Sequence, residues 1–121
     1  MRTATIAVDA SCISVARSLA ALARVSARAG GPLVVVTHRA YGDLVGELGS
    51  DEAAARHLYR VATNTGRPIA VNLPTGCDTS TTVFVAPKGW SEGRLAGWAA
   101  GHHQELEATF GPASVVRRED A

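Results

Sequence analysis

Apolar residues recur along this chain in two rhythms, and their succession predicts strand, helix, strand from the start. A short apolar run, Thr3-Ala-Thr-Ile-Ala-Val8, reads as a first strand and is followed by Asp9, Ala10 and Ser11. Residues 12–28 then read as an amphipathic helix. Ile13, Ala16, Leu19, Ala20, Ala23 and Ala27 recur at steps of three and four, with Leu22 and Val25 widening the apolar face. Ser11 is the expected N-cap, and Gly30-Gly31-Pro32 is the stop. Leu33-Val-Val-Val-Thr-His38 resumes as a second strand. An apolar strand that returns after a helix of this length predicts a parallel βαβ crossover, right-handed as nearly all are.

The pattern weakens after His38. Tyr41, Leu44, Val45 and Leu48 fit one helical stripe, but Gly42 and Gly46 interrupt it. A short mobile helix and an irregular loop both fit this stretch. A cleaner helix follows, with Ser50 as N-cap, Asp51 and Glu52 in its first turn, and Ala54, Leu58, Val61 and Ala62 on one face. It stops at Asn64-Thr65-Gly66, before Pro68. Residues 69–73 and 81–86 read as strands joined by a short polar loop, which predicts an antiparallel hairpin at one edge of the sheet. Ser91 is expected to cap a last helix reaching about Phe110, with Leu95, Trp98, Ala99, His102 and Leu106 as its apolar stripe. Residues 113–116 are an optional further edge strand. The predicted fold is α/β, one globular domain over residues 1–121. It is a small two- or three-layer sandwich on a mixed sheet of four to five strands, with a βαβ start and a hairpin edge.

Composition changes this picture little. The 121 residues are 46% hydrophobic and 19% charged, which excludes a disordered chain. Aromatics make up 5%, so the core must be built from Ala, Val and Leu. No run of 18 apolar residues occurs, so no membrane partner is expected. Asp9 and Arg17 interrupt the segment that would have to serve as a signal peptide, and a cytoplasmic location is expected. Cys12 and Cys77 lack metal-ligand spacing and read as free thiols. Residues 1–42 hold five arginines against Asp9 alone, whereas residues 43–121 hold seven bases against ten acids. The near-neutral total does not mark a dedicated nucleic-acid binder. A local basic patch is present all the same, because Arg17, Arg24 and Arg28 fall on one helical azimuth opposite the apolar face.

In an open parallel sheet, ligands sit beyond the carboxyl ends of the strands. That rule assembles a candidate ligand site from Asp9 and Ser11, Thr37 and His38, and Thr75, Cys77 and Asp78 of the polar loop. Asp9 can hold a divalent cation or act as a base, and Ser11 beside a helix start can help bind an anion. Gly76 permits close backbone approach, while Cys77 needs a neighbouring base before it can be a nucleophile. The string Val8-Asp-Ala-Ser11 resembles the opening strand of PIN-like ribonucleases. The resemblance implies a metal-binding role for Asp9, with further carboxylates drawn from Asp43, Glu47 and Asp78. No metal and no cofactor is expected from the residues themselves. His102 and His103 diverge by about 100° on a helix, neither HExxH nor a paired Cys/His pattern occurs, and no glycine-rich phosphate loop follows the first strand.

The function expected is a small intracellular binding or regulatory module acting through a protein or small-ligand contact, with homodimerisation left open. Two alternatives stand beside it. One is a metal-dependent phosphoester hydrolase of the PIN-like class using Asp9. The other is a nucleic-acid binder using the Arg17, Arg24 and Arg28 face.

Overall fold

The computed structural model describes residues 5–8, 14–28, 30, 33–74, 80–102 and 113–118. Strand β1 (Thr5–Val8) is followed by helix α1 (Val15–Arg28) and strand β2 (Leu33–Val36). Two helices, α2 (His38–Leu48) and α3 (Asp51–Thr65), lead to β3 (Ile69–Pro74) and β4 (Ser80–Val85). Helix α4 (Glu92–Ala100) precedes β5 (Ala113–Arg118). The strands pair in the order β1-β2-β3-β4-β5. β1, β2 and β3 run parallel, β4 turns back along β3, and β5 runs parallel to β4. The chain is therefore α/β on a mixed sheet. The hairpin is not at the edge as expected, because β5 pairs along the free side of β4.

Strand β2 is buried at every position, and its side chains feed two cores by simple alternation. Val34 and Val36 join Ile69, Val71 and Val85 beneath α1, α2 and α3. Leu33 and Val35 join Ala70, Phe84 and Ala86 against Leu95 and Ala99 of α4. The result is three layers, and chain geometry explains the division. All three crossovers advance in the same direction across the sheet, but the last leaves a strand pointing the opposite way. Crossovers of a single hand must then put α4 on the face opposite α1, α2 and α3.

Several boundaries move from their expected places. α1 begins at Val15 rather than at residue 12, and its cap is Ser14, whose Oγ accepts from Arg17 N at 3.2 Å. Ser11 lies outside the described residues. The buried face of α1 comprises Val15, Ala16, Leu19, Ala23 and Ser26, whereas Val25 is 65% exposed. The stripe is thus rotated away from Val25, because the short Ser26 side chain faces the sheet. α4 stops at Ala100, where Gly101 N and His102 N bond back to Trp98 O and Ala99 O in the tighter three-residue pattern. The expected continuation through Leu106 to Phe110 lies outside the described residues. No helix among the described residues is long and apolar enough to cross a membrane.

Candidate functional site

The parallel strands bring their carboxyl ends to one edge of the sheet. Val8 is in register with Val36, and Val36 with Val71, so β3 continues three residues past the end of β2. Of the site residues expected at that edge, the structure describes Thr37 and His38. Thr37 is the N-cap of α2, its hydroxyl accepting from Ala40 N at 3.2 Å, and His38 is exposed in the first turn. Asp9, Ser11, Thr75, Cys77 and Asp78 lie outside the described residues, and so does any meeting between them.

The same end of the helical layer holds a polar cluster that sequence reasoning missed. Glu47, near the end of α2, reaches the amino terminus of α1. Its carboxylate accepts from the Ser14 hydroxyl at 2.8 Å, Val15 N at 2.9 Å and Ala16 N at 3.2 Å. The two backbone N–H groups are donors a helix start leaves unsatisfied, in the positive end of its dipole. The Ser14 bond above all, against the opposing effect of desolvation, and then the two backbone N–H groups and the charge of His57, hold the Glu47 carboxyl below its ordinary value. His57 Nε2–H donates to Ala16 O at 3.1 Å, so α3 ties into the same turn. The only signal in the sequence was Ser14 itself, a second cap-forming serine. Its pairing with Glu47 spans 33 residues and could not be read locally.

Glu47 therefore has a structural occupation, and of the other carboxylates considered for a metal, Asp43 is exposed on α2. Asp51 accepts the Tyr41 hydroxyl, joining α3 to α2. Among the described residues no group of three His, Cys, Asp or Glu side chains is placed to hold a metal ion.

The outer face of the helical layer offers open space. Arg17, Arg24 and Arg28 are all exposed, as their azimuth predicts. Between α1 and α3 lies an open groove of about 400 Å³ lined by Ala20, Arg24, Val61, Asn64 and Thr65. This volume falls within the range of small-molecule sites, ~300–1,000 Å³. A second cavity, lined in part by Ser26, Thr65 and Arg67, measures about 10 Å³, which is close to the space of one water.

On the opposite face, α4 carries an aromatic cluster. Trp98 meets Phe84 edge-on at 5.6 Å and Trp90 at 6.4 Å, and it lies 4.3 Å from the His102 ring. The Arg94 guanidinium sits 4.0 Å from the Trp90 ring centre. Burial, and then the charge of Arg67, push His102 below its ordinary value, which favours the neutral form of this core-edge side chain. Comparison with protein-family models, curated proteins and solved structures gives no match.

Proposed function

We propose that this chain is a small binding or regulatory module that meets its partner through the outer face of the α1–α3 layer. The observation that carries this reading is the open groove of about 400 Å³ beside the exposed Arg24. The occupation of Glu47 supports it against the hydrolase alternative, since a carboxylate bound to three donors of α1 is poorly placed to serve a metal. A cytoplasmic location belongs to the same reading, and so does the option of a homodimer, which sedimentation would decide. The row of Arg17, Arg24 and Arg28 favours nucleic acid as the second reading, because exposed arginines spaced along one helix can follow a phosphate backbone.

Calorimetric titration and thermal shift separate these readings. The module reading expects saturable stabilisation by a small ligand or protein partner, and no Mn²⁺-dependent cleavage of bis(p-nitrophenyl) phosphate. Metal-dependent cleavage abolished by Asp9→Asn would overturn it in favour of the hydrolase.

A further inference from the structure

The groove between α1 and α3 offers far more donors than acceptors. Arg24 brings a guanidinium with five N–H donors and no acceptor, and Asn64 brings a side-chain amide. The Thr65 hydroxyl proton is committed to the carbonyls of Val61 and Ala62, at 2.9 and 3.3 Å, which leaves its oxygen as an acceptor. Ala20 and Val61 supply an apolar floor, and no carboxylate is among the lining residues.

The last turn of α3 lies here, and its carbonyls would ordinarily repel an anion. In this helix the Ala62 carbonyl is answered, and the guanidinium of Arg24 sets a positive charge against the rest. Besides the Thr65 hydroxyl, Gly66 N and Arg67 N donate to Ala62 O at 2.8 and 3.2 Å. Arg28 offsets the same end of α1. Arg24 itself has no ion-pair partner among the described residues. Among the described residues, the charge facing the groove is thus positive and in no ion pair.

We infer that the groove binds a small anion, a carboxylate or phosphate monoester, with its charged end on Arg24 and Asn64. A compact apolar body lies on Ala20 and Val61. The inference rests on the module reading and adds the ligand's chemical class. The two anions share charge-assisted hydrogen bonding to arginine, the planar carboxylate and the phosphate both suiting a two-pronged contact. An open, solvated groove implies modest affinity, a Kd of about 0.1–1 mM.

The test uses phenyl phosphate and benzoate as probes, benzyl alcohol as the neutral control, and ¹H–¹⁵N and methyl NMR of the full chain as readout. The expected result is saturable movement of the Val61 methyls, the Asn64 side-chain amide and Arg24 Nε–H with one or both anions, and none with the alcohol. Arg24→Gln should weaken binding about tenfold, and Ala20→Leu should block it by filling the floor. Each variant's own spectrum reports that it is folded. No saturable shift by about 20 mM of either anion overturns the inference, and so does unchanged binding by Arg24→Gln. Shifts centred instead on Thr37 and His38 overturn the groove while leaving a binding module elsewhere on the chain. Small anions without effect, together with salt-steep binding of a short DNA duplex that Arg17→Gln, Arg24→Gln and Arg28→Gln abolish, would replace it with the nucleic-acid reading. Mn²⁺-dependent phosphodiester cleavage would sink the module reading itself.

Discussion

Glu47 is the residue through which α2 holds the start of α1, and its contribution should depend on pH in a fixed direction. Its carboxyl is held below the ordinary value of 4.5, chiefly by the Ser14 hydroxyl. A group whose folded value is depressed stabilises the fold fully above its unfolded value, and loses that contribution as pH falls through the folded one. Urea denaturation of Glu47→Gln should show a deficit at pH 7 that closes towards pH 3. A deficit independent of pH would mean that packing, not charge, carries the effect. Leu19 is the complementary apolar case. It is fully buried among Val34, Val36 and the facing helices, so Leu19→Ala should cost about 2–5 kcal/mol in chemical denaturation. A loss below about 0.5 kcal/mol, the range of ordinary surface changes, would contradict that placement.

At the scale of elements, α2 shows how a weak pattern becomes a defined helix. Thr37 caps its start, and Gly49 ends it in the left-handed conformation at φ 99°, its N–H bonded to Val45 O. Ala40, Tyr41 and Leu44 anchor it to the core. Gly42 and Gly46 lie on its exposed side, and a Cβ at either would meet nothing within 4 Å. Their flexibility is therefore a local cost with no packing return. Gly42→Ala and Gly46→Ala should each raise stability by up to about 1 kcal/mol, measured by urea midpoint at constant slope. Destabilisation by either would show that the helix needs the glycine's freedom. The phase of α1 carries a related lesson: hydrophobicity alone put Val25 on the inner face, but the buried position belongs to Ser26.

For the whole molecule, the separation of a basic outer helical face from two apolar cores predicts that folding and binding are independent. Replacing Arg17, Arg24 and Arg28 together with Gln should shift stability by less than about 1.5 kcal/mol, since each side chain is exposed and unpaired charges on a surface contribute little. Circular dichroism and a denaturant midpoint check this. A triple variant that fails to fold would mean that the ridge is packed or paired.

Elements whose causes are local could be read along the chain. Ser50 capping α3, the buried row Ala54, Leu58, Val61 and Ala62 and the stop at Gly66 all depend on neighbours within a few residues. The βαβ start, which pairs residues 28 apart, was legible because two apolar strands flank one helix. His102 packing on Trp98 was legible because one helical turn separates them. Tertiary structure decided what spans long stretches of chain. It placed β5 beyond the hairpin, gave Glu47 its role on α1, and opened the groove where Arg24 of one helix faces Asn64 of another. Periodicity records which side of an element is apolar, but not which other element meets it. That choice is made by burying all the faces together, and sites formed between elements appear only then.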